Sequence, residues 1–404
     1  MNKIEVLTHA STLHDEAQLD ALKSKLLGDL RASADFDIAE VTKPSGDCLA
    51  VILVLTGGVE REVLKTVAQL PAPTLLIAHP GHNSLPASLE ILARIRRDGG
   101  EGRILYGDAA NIIPELQVEL VLASAWRALR FSRIGVIGEP SEWLVASDVD
   151  SAFLKGRLAV DLITVDIKEL MKKIRAATVS RKELAAFTRE ATAIIGPNAE
   201  DVKEAVAVYQ GLRTLIDDYR LSACSVRCFD LVTDMHTTGC YALSRLNDEG
   251  IPAGCEGDLQ TLFSLYIASL LSEHVAFMGN IASVDTDNQV VGIAHCMCPL
   301  SMAMQYTVYT HFESGIGIGI SGTFPEGAYT MFRLGGQRLD HLFVREGTLE
   351  NTEFRNDLCR TQLRLRMTEP IDELLHSPLG NHHILIPGHH RKTIERFFQR
   401  HLKA

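Results

Sequence analysis

The chain has 404 residues, 46% of them apolar and 23% charged, which is the composition of a globular protein with two or three domains. Its net charge of −11 argues against a nucleic-acid binder, because such proteins present clustered Lys and Arg to phosphates. We find no signal peptide, no apolar run long enough for a membrane span and no CxxC pair among the eight cysteines, so we expect a cytoplasmic protein with reduced thiols.

The first part of the chain alternates apolar strands with helices. Short, Val/Ile/Leu-rich runs without polar alternation predict buried strands, and longer runs with 3.6-residue spacing predict helices. The predicted strands are Leu49–Thr56 and Thr74–Ala78, and the predicted helices are Leu13–Leu30, Leu85–Arg96 and Ala110–Ala128. This pattern predicts a doubly wound α/β domain over residues 1–131, with a parallel sheet covered on both faces.

A second α/β domain is predicted over residues 132–220. Its first strand, Ile134–Ile137, runs into Gly138, and the segment Glu139–Trp143 resembles the start of a short helix. The pattern continues with a strand-like segment and three helical ones: Gly156–Val160, Ile167–Ile174, Lys182–Arg189 and Asp201–Tyr219.

The remaining residues, 221–404, have a different pattern. Two predicted helices, Gly239–Asn247 and Leu259–Leu270, are followed by strand-like runs with glycine between them, and the chain closes with a helix. The runs are Val290–Cys296, Gln305–Tyr309, Ile316–Ile320, Ala328–Arg333 and Thr361–Arg366, and the last helix is Lys392–His401. Consecutive strands without intervening helices predict a C-terminal α+β domain with an antiparallel sheet or barrel.

Histidines are concentrated near the C-terminus, where six of the fifteen follow residue 375. In Asn381–His390, the pairs His382-His383 and His389-His390 flank an apolar strand. Since adjacent side chains of a strand point to opposite faces, one histidine of each pair can point inward. A polar loop with solvated histidines is the alternative.

Carboxylates and further histidines stand at the ends of other predicted elements. Glu256 and Asp258 follow a glycine turn and precede a helix, where Asp258 is equally suited to cap the helix. His295 follows an apolar run and is alternatively a core residue, while Glu313 follows a strand within His311–Ser314. Carboxylate and imidazole ligands together favour manganese, magnesium, zinc or iron.

Two loops of the N-terminal half are candidates for substrate binding. His79 and Asn83 follow a buried strand, and Ser141 and Trp143 follow another. Open α/β sheets bind ligands at the carboxyl ends of their strands, although ordinary turns are the alternative.

Four motifs together resemble the L-fucose isomerase and L-arabinose isomerase superfamily, and most closely its shorter fucose isomerase-like members. These motifs are Gly254–Asp258, Phe277–Asn280, Gly292–His295 and Asn381–His383, and they occur in the family's order. The resemblance covers roughly residues 220–400 and, more weakly, the N-terminal domains. It implies a homo-oligomer with an active site near a subunit interface.

The resemblance also implies roles for individual residues. Glu256 stands where the family has a metal-binding carboxylate that moves protons, and His382 and His295 stand where it has histidine ligands. The family's second metal carboxylate is replaced here by Gly279-Asn280. Asn280 can still bind a metal through its amide oxygen, or else Asp258, Asp285, Asp287 or Glu313 supplies the missing charge.

We therefore expect an aldose–ketose isomerase that uses Mn²⁺ or another divalent ion such as Mg²⁺, Co²⁺ or Zn²⁺. Its metal ligands would be Glu256, Asn280, His295 and His382, with Glu256 and Asp258 as proton-transfer groups. Substrate contacts would come from His79, Asn83, Ser141, Trp143, Glu313 and His389. A divalent ion would stabilise the charge of the ene-diol(ate) formed from a fucose-like, arabinose-like or modified, for example sulfonated, sugar. A sugar-binding or regulatory protein on an isomerase-like scaffold is the alternative.

Overall fold

A computed structural model describes residues 3–350 and 354–403. The chain forms two compact units, one up to Ser124 and the other from Ala125. Both contain a parallel sheet with helices, and the second also contains an antiparallel barrel. The predicted fold class, α/β sheets followed by an antiparallel sheet or barrel, is confirmed.

The first unit is built on a five-stranded parallel sheet with the strand order β2-β1-β3-β4-β5. Its strands are β1 (Lys3–His9), β2 (Asp37–Glu40), β3 (Leu49–Val54), β4 (Thr74–Ala78) and β5 (Gly102–Tyr106). Its helices are α1 (Glu16–Ser33), α2 (Glu60–Val67) and α3 (Ser84–Arg97), and α4 (Ala109–Leu129) runs from this unit into the second. Strands β3 and β4 are almost completely buried, as their unbroken apolar sequences predict.

The second unit begins with a parallel sheet of order β10-β9-β6-β7. Its strands are β6 (Arg133–Ile137), β7 (Asp161–Val165), β9 (Ala223–Val226) and β10 (Ala253–Cys255), and the separate short strand β8 (Ala193–Ile195) lies between β7 and β9 in sequence. The helices of this part are α5 (Ser151–Phe153), α6 (Ile167–Ala176), α7 (Arg181–Glu190), α8 (Ala199–Tyr219), α9 (Phe229–Met235), α10 (Cys240–Asp248) and α11 (Leu259–Leu271).

The antiparallel part of the second unit is a closed barrel of order β11-β12-β17-β16-β15-β18. The barrel strands are β11 (Phe277–Asp285), β12 (Val290–His295), β15 (Gly327–Gly335), β16 (His341–Glu350), β17 (Thr361–Met367) and β18 (His382–Pro387). A three-stranded sheet joins β8 to β13 (Gln305–Tyr309) and β14 (Gly319–Thr323), and the last helices are α12 (Glu373–His376) and α13 (Arg391–Phe397).

Three local predictions in this unit are wrong. Residues 139–143 do not form a helix, because the Ser141 amide bonds to the carbonyl of Glu256 and the chain makes only a single turn over residues 142–143. The predicted strand Gly156–Val160 is a helical turn, which a left-handed residue at Ala159 ends before β7 begins. The predicted strand Ile316–Ile320 begins only at Gly319, after two glycines with positive φ angles.

Within the described residues, no helix is both long enough and apolar enough to cross a membrane.

Candidate active site

Glu256 lies in a tight turn between strand β10 and helix α11. Both Glu256 and Gly257 have positive φ angles, of 63° and 73°. A Cβ atom on Gly257 would lie 2.7 Å from the Cα atom of Pro140, so this position has room only for glycine. The Ser141 amide donates a hydrogen bond of 2.9 Å to the Glu256 carbonyl oxygen. The turn is therefore fixed against the loop that follows β6.

The two carboxylate oxygens of Glu256 have different neighbours. Oε2 accepts a hydrogen bond of 2.6 Å from the indole Nε1 of Trp143, a side chain that is half exposed. Oε1 lies 3.8 Å from Nε2 of His382, which is completely buried. Trp143 thus orients one oxygen at the surface, while the other oxygen faces a buried imidazole.

His382 is the first residue of β18, and its other ring nitrogen contacts Asp258. The distance from Nδ1 to the Asp258 Oδ2 atom is 3.0 Å. Asp258 also accepts a hydrogen bond from the Thr261 amide, so the interpretation of Asp258 as the helix cap is confirmed. Burial alone would raise the pKa of Asp258, but the His382 hydrogen bond and the charge of Arg333 outweigh it and hold this pKa below its usual range. Asp258 is consequently an ionised acceptor, and Nδ1 of His382 carries a proton.

The geometry around His382 fits a divalent metal ion. Within the part of the chain that the structure describes, Nε2 of His382 has no hydrogen-bond partner although it is buried. Its separation from the Glu256 oxygen is too long for a hydrogen bond, but it suits two ligands that each lie ~2.0–2.2 Å from one ion. A carboxylate behind a histidine ligand, here Asp258, is the usual support for such a ligand.

A second, overlapping group of possible metal-binding atoms surrounds Glu256. Cys255, Glu256 and His295 each offer one atom, and these atoms lie within 4.8 Å of one another. Both groups therefore centre on Glu256, which the sequence indicates as the first metal ligand.

His295, at the end of β12, is buried, and its ring already has one partner. Nδ1 accepts a hydrogen bond of 3.0 Å from the Met297 backbone amide. Burial lowers the pKa of His295 well below its ordinary value, and the neighbouring His382 and His311 lower it further. The ring is therefore neutral over the physiological pH range.

Asn280 lies beside these histidines because of the register of the barrel strands. It pairs with His382 of β18 on one side and with Ala294 of β12 on the other. Its Oδ1 atom accepts a hydrogen bond of 2.9 Å from the Asn381 amide group, which leaves one lone pair free.

These side chains border a pocket with an empty volume of about 450 Å³, including the part open to solvent. Glu256, Asn280, His295, His311 and Glu313 line it. Partial burial and the charge of Glu256 raise the pKa of Glu313, although much of this residue remains exposed. The pocket thus has a second carboxyl group that is more readily protonated than an ordinary glutamate.

Five cysteines also line the pocket, which the sequence pattern does not predict. They are Cys228, Cys240, Cys255, Cys296 and Cys359. All five are free thiols, and the Sγ atoms of Cys228 and Cys255 lie 2.9 Å apart.

The structure brings some of the predicted substrate-binding residues together and separates others. Ser141 and Trp143 adjoin the Glu256 turn, and the buried Ser141 hydroxyl has no hydrogen-bond partner within the described residues. His389 is exposed beyond the other end of β18, where it contacts Glu346. His79 and Asn83 belong to the first unit, at the loop between β4 and α3.

Arg333 is the main residue of this region that the sequence analysis did not single out. It is completely buried in β15, and its guanidinium contacts Asp258 and the His382 carbonyl oxygen. The available signal was an arginine inside the apolar run Tyr329–Leu334. Such a residue needs buried partners, because a buried charge is costly without them.

No family model matches the chain. Among curated proteins, it is similar to the sulfoquinovose isomerase of Priestia aryabhattai, with 25% identity over 278 residues, which is 65% of this chain and 61% of that protein. It is 24% identical over 326 residues to the sulfoquinovose isomerase of Alkalicoccus urumqiensis, which covers 77% of this chain and 73% of the relative. A third sulfoquinovose isomerase, from Clostridium sp. (strain MSTE9), is 26% identical, over 60% of this chain and 57% of that protein. The chain thus spans about three fifths of the Priestia relative.

Proposed function

We propose that this protein is a metal-dependent aldose–ketose isomerase that acts on a sulfonated hexose such as sulfoquinovose. The observation that carries the proposal is the Glu256–His382–Asp258 arrangement, in which Glu256 lines the pocket and an imidazole nitrogen, unpartnered among the described residues, faces its carboxylate. The similarity of the sequence to sulfoquinovose isomerases also supports the proposal.

Glu256 and His382 would hold the divalent ion, and Asn280, which pairs with His382 in the strand register and lines the same pocket as Glu256, would add its amide oxygen. When bound, the ion supplies Lewis-acid stabilisation of the negative charge that develops on the sugar oxygens. Asp258 keeps His382 in the tautomer that leaves Nε2 free, so it acts as a positioning residue.

The carboxyl groups of the pocket would transfer the protons of the reaction. Glu256 removes the proton from carbon 2 of the aldose while the carbonyl electrons move to oxygen 1, and a proton returned to carbon 1 gives the ketose. Glu313 is a suitable second group, because its raised pKa favours a carboxyl that donates a proton. The reaction moves one proton from carbon 2 to carbon 1 and one between the oxygens, without a net change in composition.

The proposal is tested by incubating the purified protein with sulfoquinovose, glucose, L-fucose and L-arabinose in heavy water. We expect chromatography to detect a ketose product from sulfoquinovose, with deuterium at carbon 1. Removal of metal by a chelator should abolish turnover, and Mn²⁺ should restore it. A protein that binds sulfoquinovose but neither isomerises it nor exchanges deuterium would instead support the sugar-binding alternative.

Glu256→Gln gives a sharper test of the proton step. The variant keeps the size and one oxygen ligand but lacks a basic carboxylate, so we expect turnover and deuterium exchange to fall at least ~10²-fold. Elemental analysis should still find metal in this variant. Exchange as fast as in the parent protein would exclude Glu256 as the base, and Glu313→Gln would then be the next variant to measure.

Assembly and location are part of the same proposal. We infer a homo-oligomer with the pocket near a subunit interface, because Trp143, which contacts Glu256, and Val145, two residues further along the chain, are apolar residues with 52% and 88% exposure. We also infer a reducing compartment such as the cytoplasm, since all eight cysteines are free.

A further inference from the structure

The two buried histidines of the site, His382 and His295, differ in what their Nδ1 atoms contact. Nδ1 of His382 faces the Asp258 carboxylate, which can only accept a hydrogen bond. The proton of the neutral ring therefore lies on Nδ1, and Nε2 keeps its lone pair. This is the tautomer that a metal ligand needs.

His295 has the opposite arrangement. Its Nδ1 atom faces the backbone N–H of Met297 at 3.0 Å, and a backbone N–H can only donate. The Nδ1 lone pair is therefore in use, and the neutral ring carries its proton on Nε2. Neither nitrogen of His295 has a lone pair free for a metal ion.

Metal binding by His295 would require a change in this hydrogen bond. Coordination through Nδ1 would displace the Met297 amide, and coordination through Nε2 would move the ring proton onto Nδ1, against the same amide. Either change leaves a buried backbone N–H without its partner, which is unfavourable. His382 would bind a metal without any such loss.

We infer that His295 is a hydrogen-bond donor to a sugar oxygen through its Nε2–H group, and not a metal ligand. The inference rests on the proposed function, and it departs from the role that the family resemblance implies. His295 lines the pocket and offers a ring atom within 4.8 Å of a Glu256 oxygen, so a sugar that reaches Glu256 also reaches this ring.

A fixed, neutral donor has a clear use in this reaction. Negative charge develops on the sugar oxygens as Glu256 removes the proton, and a donor held in place by the fold stabilises that charge without reorganising. The Met297 amide fixes the ring orientation. His311 lines the same pocket, but its Nδ1 atom contacts both the Ser314 hydroxyl at 3.0 Å and the Ser314 amide at 3.4 Å, and a hydroxyl can donate or accept. Of these two pocket histidines, only His295 has its tautomer fixed by a backbone amide alone.

The first experiment reads the tautomer directly. A long-range proton–nitrogen correlation spectrum of ¹⁵N-histidine-labelled protein, assigned with His295→Gln and His382→Ala, reports which ring nitrogen carries the proton. We expect His295 to be protonated at Nε2 both without metal and with a diamagnetic divalent ion such as Zn²⁺. Loss of the Nε2 proton of His295 on addition of Zn²⁺ would overturn the inference.

The second experiment compares metal affinity and turnover in matched variants. We expect the Mn²⁺ affinity of His295→Ala to stay near that of the parent protein, and that of His382→Ala to fall at least ~10-fold. Turnover of His295→Ala on sulfoquinovose should fall about 10²-fold without rescue by added Mn²⁺. His295→Gln, which keeps an N–H donor, should recover part of that loss, and it replaces His295→Ala in the metal titration if the alanine variant does not fold.

The outcomes separate the two proposals. An equal loss of Mn²⁺ affinity in the His295 and His382 variants would overturn the donor role and leave the isomerase intact. Unchanged turnover in His295→Ala would also overturn the donor role. Unchanged Mn²⁺ affinity in His382→Ala would instead refute the proposed metal site, whereas the tautomer spectrum and the His295 variants alone decide the donor role of His295.

Discussion

Arg333 connects the helix cap of the site to the barrel. Its guanidinium group is completely buried, and every nitrogen has a partner: the carbonyls of Leu379 and His382, and the side chains of Ser147, Asp258, Gln260 and Thr261. The carboxylate of Asp258 is equally buried. A buried pair of this kind depends on both charges being present, because either one alone is strongly disfavoured.

We therefore expect Arg333→Met to lower the free energy of unfolding by about 3–5 kcal/mol, since it leaves the Asp258 charge buried without its cation. Denaturant titration measures this change. Arg366→Met is the matched control, because Arg366 forms an ion pair with Glu350 but is 46% exposed. Exposed ion pairs contribute little to the free energy of unfolding, so the control should be nearly neutral. Similar small effects in both variants would contradict the structural role given to Arg333.

The turn between β10 and α11 sets the position of Glu256, and Gly257 is the residue that permits it. Gly257 has a φ angle of 73°, and an added Cβ would meet the Cα of Pro140 at 2.7 Å. Gly257→Ala should therefore be destabilised both by backbone strain and by the clash with backbone atoms, and it should reduce turnover by displacing Glu256. Thermal unfolding and the isomerase assay measure the two effects.

Gly250→Ala separates the two causes. Gly250 has a similar φ angle of 75°, but an added Cβ there would have no atom within 4 Å. This control should lose only the ~1 kcal/mol of left-handed backbone strain and keep its turnover. If Gly257→Ala behaved like Gly250→Ala in both measurements, the contact with Pro140 would not hold the turn in place.

The sequence predicts elements best where one local pattern decides the structure. Buried parallel strands such as Thr74–Ala78 have continuous apolar sequences, and α11 has both an apolar run and the Asp258 cap. The prediction fails at Gly156–Val160, where an apolar run forms a helical turn before β7. The barrel strands β11 and β16 contain polar residues on their exposed faces, so they become strands only by pairing with distant neighbours.

The site follows the same rule. The sequence analysis identifies Glu256, Asp258 and His382 because they are carboxylates and a histidine at the ends of predicted elements. The structure places these three side chains in contact. The local sequence does not predict which hydrogen-bond partner each histidine ring nitrogen has. Whether a ring nitrogen of His295 or His382 faces an amide or a carboxylate depends on folded geometry, and this determines which ring nitrogen carries the proton.

At the scale of the whole molecule, the candidate active site combines residues from the parallel sheet and from the antiparallel barrel of the second unit. The parallel sheet contributes the Glu256 turn at the carboxyl end of β10 and the loop after β6, which is where open α/β sheets bind ligands. The barrel contributes Asn280, His295 and His382 from adjacent strands. The reactive groups are therefore held by regular elements and their ends, which favours a preorganised pocket.

Near the C-terminus, the ring of His401 stacks on the ring of Trp126, with centroids 4.2 Å apart. Burial, together with the charges of Arg400 and Arg157, lowers the pKa of His401 from the ordinary 6.5 to about 3. Below pH ~6.5, His401 thus binds a proton in the unfolded chain but not in the folded chain. The contribution of the neutral His401 ring to the free energy of unfolding is therefore complete above this pH and is lost as the pH falls towards ~3.

We expect His401→Phe, which keeps an aromatic stack but cannot titrate, to be less sensitive to acid than the parent protein. Between pH 6 and pH 4, the free energy of unfolding of the parent should fall more steeply than that of the variant, by up to about 1.4 kcal/mol per pH unit. Denaturant titrations at several pH values measure the two slopes. His376→Phe is the control, because His376 is exposed, and its slope should match that of the parent. Equal slopes in the parent and in His401→Phe would mean that the folded chain also accepts a proton at His401, and that the stack on Trp126 does not keep the ring neutral.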